Sequence, residues 1–374
     1  MHEERNKKSI RILGTRGIPA CHGGFETFAE GFSKYLVANG WNVSVYCQET
    51  GHGKIREEDW NGIKRIIVPV AKDSSLGSIF FDLKSVIHAA SSPELCLTLG
   101  YNTAIFNILL RLKGIKTIMN MDGIEWSRAK WSWPARVWLY LNEWIGARVS
   151  NVLVADHPEI AKHLERHTRA SKIVMIPYGA EAPESPQESV LKQYGVLPHE
   201  YALVIARPEP ENSILEIVTA WSMEKRNFKL IVVGNYDKSN PYHRKILDAA
   251  SDEVIFAGAI YDKRIVGSLR WFAAFYIHGH QVGGTNPSLV EALACENPIL
   301  AHDNRFNRWV AKDAGKYFSS TSACNNAISL LISSLDDRKR MHTNAMHEFF
   351  SRFTTAMINS KYKTLCCNTN KNCH

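Results

Sequence analysis

Two loops hold the residue types best suited to a charged ligand. The first runs Gly14-Thr15-Arg16-Gly17-Ile18-Pro19-Ala20-Cys21-His22-Gly23-Gly24-Phe25-Glu26 and leads into an apolar helical pattern. Its Gly23-Gly24 pair falls at a helix start. There, unpaired N–H groups and the positive end of the dipole favour an anion, and the missing Cβ lets a phosphate approach closely. Arg16 adds a cation to the same loop. A tight turn that binds nothing is the alternative. No GxxxxGK[ST] or GxGxxG is present, so neither a P-loop nor a dinucleotide fingerprint competes.

The second loop runs His278-Gly279-His280-Gln281-Val282-Gly283-Gly284-Thr285-Asn286-Pro287-Ser288, and its Pro suits a first helical turn. Gly284, Thr285, Asn286 and Ser288 are its candidate anion ligands. Glu291, one turn further on, is placed to accept hydrogen bonds from ribose hydroxyls, as an acid does in dinucleotide sites. The alternative is a first-turn glutamate favoured by the dipole. With the binding role alone, Glu291→Ala should weaken donor binding and leave the melting temperature nearly unchanged. One diphosphate bridging the two loops across a cleft accounts for both.

A third segment, Asn120-Met121-Asp122-Gly123-Ile124-Glu125-Trp126, follows a strand. Asp122 or Glu125 could orient an acceptor hydroxyl and take its proton. A turn at Asp122-Gly123 with a solvated Glu125 is the alternative. Asp156, before Pro158, reads as a helix cap. No cluster of carboxylates or histidines shows ligand spacing, and His278 with His280 is weak support for one, so neither a metal nor another cofactor is expected.

The elements that must position these loops alternate. Ile10 to Leu13 is a short strand, Phe25 to Leu36 has helical period, and Trp41 to Cys47 is a strand again, making a βαβ unit with parallel strands. Strands follow at Arg65–Val70, Leu95–Leu99, Lys116–Asn120, Val152–Ala155 and Lys172–Ile176. Helical patterns intervene at Ile79–Ala90, Ala104–Lys113, Pro134–Ser150 and Pro158–Arg166. Tyr178 to Glu200, with three prolines, reads as a linker. A second series has strands at Tyr201–Ala206, Lys229–Val233, Glu253–Ala257, Ala273–His278 and Pro298–Ala301, and helices through Ala323–Leu335 and Arg338–Leu365. This predicts an α/β chain of two Rossmann-like doubly wound domains, 1–178 and 179–340, then a helix over 341–365 and a tail over 366–374.

At 374 residues and 45% hydrophobic, the chain suits two soluble cores. Its net charge of +8 fits an anionic partner such as a nucleotide or a phospholipid surface. No basic run interleaved with aromatics marks a nucleic-acid module. No apolar run approaches the ~20 residues of a spanning helix, and the polar first residues do not read as a signal peptide. The eight scattered cysteines lack CxxC spacing and read as reduced thiols in a cytoplasm. Cys366, Cys367, Cys373 and His374 could bind metal, but a frayed terminus is the simpler reading. Lys130 to Arg148 holds Trp131, Trp133, Trp138 and Trp144 among basic residues and could lie in a membrane interface. Alternatively Val137, Leu141 and Ile145 form a buried helical face.

The second loop with Pro287-Ser288-Leu289-Val290-Glu291-Ala292-Leu293-Ala294 resembles the donor site of the retaining GT-B glycosyltransferases of family 4. In that pattern the helix glutamate holds the donor ribose. The first loop resembles the family's Gly-Gly-x-Glu turn, and Ala206-Arg207-Pro208-Glu209-Pro210-Glu211-Asn212 takes the place of its Arg…Glu-Lys segment. The set GTRGIPA, NMDGIEW, ADHP, IPYGA, ARPEPEN and NPYHRKIL is similar to a bacterial subgroup associated with rhamnosyl transfer to lipid-linked sugars in surface polysaccharide assembly.

The resemblance implies two domains facing across a cleft, a C-terminal helix packing back toward the first, and metal-independent transfer with retention. It implies a nucleotide-sugar donor, dTDP-rhamnose foremost, and a lipid-linked acceptor at the inner face of the cytoplasmic membrane. Arg207 would stabilise the departing diphosphate. Two departures stand out: Gly283 replaces the family's first glutamate, and Asn212 replaces its lysine. His280 or Asn286 would then contact the sugar, or the sugar would be a deoxyhexose needing fewer partners. A nucleotide-sugar epimerase of the same fold, or a non-catalytic binder, are the rival readings.

Overall fold

The computed structural model describes residues 8–21, 23–128 and 130–371. It divides into two compact units, the first comprising residues 1–177 with 358–374 and the second residues 178–357. In the first unit the order is β1 (Ser9–Leu13), α1 (Gly24–Ala38), β2 (Asn42–Thr50), β3 (Arg56–Trp60), β4 (Ile63–Val70), α2 (Ser75–Ala89), β5 (Leu95–Leu99), α3 (Asn107–Leu112), β6 (Thr117–Asn120), α4 (Trp133–Val149), β7 (Val152–Ala155), α5 (Pro158–Leu164) and β8 (Ile173–Met175). The second unit continues with β9 (Tyr201–Ile205), α6 (Ile214–Ser222), β10 (Lys229–Val233), α7 (Pro241–Asp248), β11 (Val254–Gly258), α8 (Lys263–Trp271), β12 (Phe275–His278), α9 (Pro287–Ala294), β13 (Ile299–His302), α10 (Arg305–Ala311), β14 (Gly315–Phe318), α11 (Thr321–Ser333) and α12 (Leu335–Arg352). The last helix, α13 (Thr355–Lys371), returns to the first unit from Ile358 onward.

The first sheet has the order β3-β4-β2-β1-β5-β6-β7-β8, the second β11-β10-β9-β12-β13-β14. Every pairing is parallel except β3 with β4. Apolar side chains cover both faces of each sheet, as buried parallel strands require. In β9, Tyr201 and Leu203 join one core while Ala202 and Val204 join the other. The strand order reverses between β1 and β5 in the first sheet and between β9 and β12 in the second. These are the topological switch points at which open α/β sheets bind ligands, and the two candidate loops follow β1 and β12.

Several elements differ from the sequence expectation. The β3–β4 hairpin is additional: Arg56-Glu57-Glu58-Asp59-Trp60 is a polar edge strand without apolar alternation. Asn61 and Gly62 both have positive φ, as a two-residue hairpin turn demands. The strand β14 is also additional. The single helix expected over 341–365 is instead α12 and α13. The ladder stops where the carbonyl of buried Phe353 accepts from the Ala180 N–H and Thr355 donates back to Ala180. Nor is 366–374 all tail, because α13 runs on to Lys371. Its Ile358, Tyr362 and Cys366 complete the core of the first unit. Cys373 and His374 lie outside the described residues.

The cap of α5 is His157, whose Nδ1 accepts from Glu159 N at 3.0 Å, rather than Asp156. In α4 the buried residues are Leu139, Asn142, Glu143, Gly146 and Ala147. Packing runs through the small residues, since a Cβ on Gly146 would meet Met119 Sδ at 2.8 Å. Val137 and Leu141, which the alternative of a buried face places inside, are exposed with Trp133, Trp138, Tyr140 and Trp144.

Candidate functional site

In the second unit, three loops are stitched together at the sheet's switch point. The segment after β9 carries Arg207, and the segment after β12 carries His280. Asn212 joins them: its Nδ2 donates to the Arg207 carbonyl at 2.8 Å, and its Oδ1 lies 2.6 Å from His280 Nδ1. The first bond sets the amide's orientation, so His280 Nδ1–H donates to the Asn212 carbonyl oxygen. Ser213 Oγ donates to the Gly279 carbonyl, and Gln281 Nε2 donates to Ser213 Oγ, both at 2.8 Å. The approach is close enough that a Cβ on Gly279 would meet the Asn212 carbonyl oxygen at 2.0 Å. From the third loop, after β13, Asn304 and Asn307 donate to the His280 carbonyl at 3.0 and 2.9 Å. Asn212, which takes the position of a lysine in the resembling family, is therefore a positioning residue for His280. The Arg207 side chain is exposed.

The start of α9 is built as expected in outline and differs in detail. Asn286 is its cap, with Oδ1 accepting from Ser288 N at 2.9 Å, so this amide orders the helix rather than reaching for a sugar. Ser288 Oγ lies 2.7 Å from Tyr276 OH and accepts from Arg270 Nη2 at 3.1 Å. With its N–H and hydroxyl engaged, Ser288 supports the helix start instead of presenting a group to a phosphate. Gly284 and Thr285 are the other two candidates that the sequence offered in this loop. Gly284 has φ +112, a conformation that favours glycine, and Thr285 is buried.

Glu291 lies beyond the first turn, so the dipole does not account for it. Its Oε2 is 2.5 Å from Arg270 Nη2, with Arg270 8% and Glu291 44% exposed. A buried guanidinium thus orients a carboxylate that solvent, or a ribose, can still reach. Nothing in the sequence marked Arg270 for this role.

Gly283 has a steric reason. A Cβ there would lie 2.5 Å from Cζ of the buried Phe306, whose ring occupies the space a side chain at 283 would need. Gly283→Ala should therefore lower the melting temperature through overpacking worth about 1–3 kcal/mol. Adding Phe306→Ala should recover part of that loss. Additive effects in thermal unfolding would separate the two residues.

In the first unit the described part of the loop after β1 is ordered by two glutamates of α1. Glu26 Oε1 accepts from Arg16 N at 3.2 Å and Glu30 Oε2 from Ala20 N at 2.8 Å. Gly23 is the extended cap of α1 and Gly24 its first residue, and the cap makes no side-chain hydrogen bond. Arg16 Nη1 lies 3.4 Å from Asp73 Oδ1, an exposed pair of little worth to stability.

Asp122 and Glu125 are brought together but separated in character. Arg128 Nη1 donates to Glu125 Oε1 at 2.5 Å, and Trp131 Nε1 donates to Oε2 at 3.2 Å. Burial works to raise the Glu125 carboxyl, but Arg128, Lys130 and Trp131 hold it below the usual range. Asp122, with φ +50, has its carboxyl pushed up to about 6, chiefly by desolvation and then by the Glu125 charge. One carboxylate is committed to an ion pair; the other is poised near neutrality, as a general base should be. Of the two, Glu125 is committed to Arg128, which leaves Asp122 as the candidate base.

Comparison with known proteins agrees with this architecture. Residues 191–348 match the family model described as glycosyl transferases group 1, and residues 7–181 match a domain of unknown function, DUF1972. None of the curated proteins matches the chain. Among solved structures, sucrose-phosphate synthase from Thermosynechococcus elongatus aligns with TM-score 0.80 at 16% identity, covering 98% of this chain and 100% of that one. HepE from Anabaena, solved with UDP and glucose, aligns with TM-score 0.76 at 15% identity over 97% and 100%. A glycosyltransferase from Rickettsia africae gives TM-score 0.74 at 17% identity over 98% and 100%. The fold is that of the GT-B glycosyltransferases, and the group 1 match in the second unit supports a glycosyltransferase.

Proposed function

We propose that the protein transfers a sugar, with retention and without a catalytic metal, from a nucleoside diphosphate to a lipid-linked saccharide. The observation that carries this reading is the switch-point site of the second unit. Arg207, the Gly284–Thr285 segment, the Asn212-oriented His280 and the Arg270-oriented Glu291 lie on or beside the loops where such sheets bind nucleotides. Donors of this kind occur in the structures that resemble it, HepE among them having been solved with UDP-glucose. In the reaction, the acceptor oxygen bonds to the anomeric carbon on the face from which the diphosphate leaves. The acceptor proton passes to Asp122, while Arg207 and the backbone amides stabilise the departing charge. In the first unit, taken by itself, Arg16 and the Gly23–Gly24 turn are proposed as donors to an anion.

A deoxyhexose is favoured as the sugar, dTDP-rhamnose first, because Phe306 excludes a polar side chain at Gly283. Membrane contact is supported by α4, which leaves Trp133 76%, Leu141 49% and Trp144 41% exposed beside Arg136 and Arg148. Among the described residues no helix is long and apolar enough to cross a membrane, so the contact would be peripheral.

The test offers nucleoside-diphosphate sugars to the protein, with and without lipid-linked saccharides, and follows nucleotide release. Acceptor-dependent release from dTDP-rhamnose is the expected result. Release from every donor without acceptor, or saturable binding without release when the acceptor is supplied, would overturn it. Arg207→Ala should slow transfer at least ~10²-fold, the usual cost of losing one stabiliser of transition-state charge. Turnover like the wild type would remove Arg207 from that role.

A further inference from the structure

We propose that Glu143, His163 and His167 form a binding site for one divalent transition-metal ion, Zn²⁺ foremost. Glu143 lies on the buried face of α4, His163 near the end of α5, and His167 four residues on in the following turn. Glu143 Oε1 is 2.8 Å from His163 Nε2 and 3.0 Å from His167 Nε2. One ligand atom from each residue lies within 4.8 Å of the others. Imidazole nitrogens with a carboxylate oxygen are a zinc-type donor set, and ligands at ~2.0–2.1 Å from a tetrahedral ion stand somewhat further apart than this. A few tenths of an ångström of opening would admit the ion, with water as the fourth ligand.

Two features distinguish this trio from a carboxylate satisfied by neutral imidazoles. His167 Nε2 is buried and makes no hydrogen bond, although it stands close to Oε1. The second Glu143 oxygen is already fixed, because Trp126 Nε1 donates to Oε2 at 3.0 Å. That leaves Oε1 as a monodentate ligand with the orienting partner that metal-bound carboxylates usually have. Trp126 and Tyr140 pack edge-to-face, the first beside His163 and the second against His167, giving the site an aromatic wall. The ion would tie α4 to α5 and, through Trp126, brace the segment that carries Asp122. It takes no part in the transfer step, so the inference does not depend on the proposed reaction.

The test uses the full chain, freed of metal by chelator and dialysed, titrated calorimetrically with ZnCl₂ alone. One equivalent should bind with Kd of about 1 μM or tighter, and saturation should raise the melting temperature. Co²⁺ in its place should give the visible absorption of a tetrahedral nitrogen–oxygen site. A sulfur-to-cobalt charge-transfer band would instead locate the metal at the C-terminal cysteines and overturn the proposal. His163→Gln/His167→Gln should lose the equivalent, whereas Cys367→Ser/Cys373→Ser should keep it. No stoichiometric binding by the wild-type chain, or binding that survives loss of both histidines, would also overturn it. The Co²⁺ spectrum of the wild type decides the question even if the double variant fails to fold.

Discussion

Asp122→Asn should slow transfer by about 10²–10⁴-fold, the range that a positioned general base contributes, while making the protein more stable at neutral pH. The two effects share one cause. Burial and the Glu125 charge push the Asp122 carboxyl up to about 6, against ~3.9 in an unfolded chain. A carboxyl whose folded pKa lies above its unfolded value binds its proton more tightly when folded. Stability from this group is therefore present below about pH 4 and lost as pH rises to about 6. Asparagine cannot ionise, so its advantage in melting temperature should be full at pH 7–8 and vanish below about pH 4. In the wild type, kcat/KM should fall as pH drops through about 6, and that limb should be absent from the residual activity of the variant. If Asp122→Asn keeps a third or more of the activity, the departing phosphate takes the acceptor proton and Asp122 is no base.

Glu291→Ala should damage both binding and folding, which revises the expectation from sequence that melting would hardly change. Removing the carboxylate leaves the Arg270 guanidinium buried with only Ser288 as partner. Breaking a fully buried pair costs about 3–5 kcal/mol. Glu291 is 44% exposed, water can follow, and about 2–3 kcal/mol is the better expectation here. Losing a charged acceptor for ribose hydroxyls should also weaken donor binding about 10- to 100-fold. Glu291→Gln separates the roles, since its amide oxygen can still accept from Arg270 while the charge toward the ribose is gone. Melting near wild type with donor affinity lowered about tenfold would establish the binding role. Unchanged affinity in Glu291→Gln would leave Glu291 a purely structural partner of Arg270.

These residues also mark how far local pattern carries. Alternation of period between strands and helices is repeated along both halves, so two doubly wound sheets were legible. Gly and Pro punctuate the loops after β1 and β12 because backbone must turn and crowd there, so those loops were legible too. The β3–β4 hairpin carried its own signal in Asn61-Gly62, masked by a strand with no buried face. Arg270, Tyr276, Asn304, Asn307 and Phe306 left no such trace. Each acts through a partner distant in the chain, and an arginine in α8 looks like any surface cation until the fold sets it beneath α9. His163 and His167 were not marked by the sequence either, and Glu143 joins them only through the packing of α4.

The course of α13 bears on how the chain is made. Ile358, Tyr362 and Cys366 fill the core of the first unit, and Tyr362 accepts a hydrogen bond from Asn120 at 2.9 Å. These residues leave the ribosome only after all of the second unit has been synthesised. The first unit therefore waits through that interval with Phe28, Phe32 and the β6 end uncovered, an exposed apolar surface open to chaperones and to aggregation. The second unit holds its whole sequence without interruption, so its core is complete before the first unit receives its closing helix.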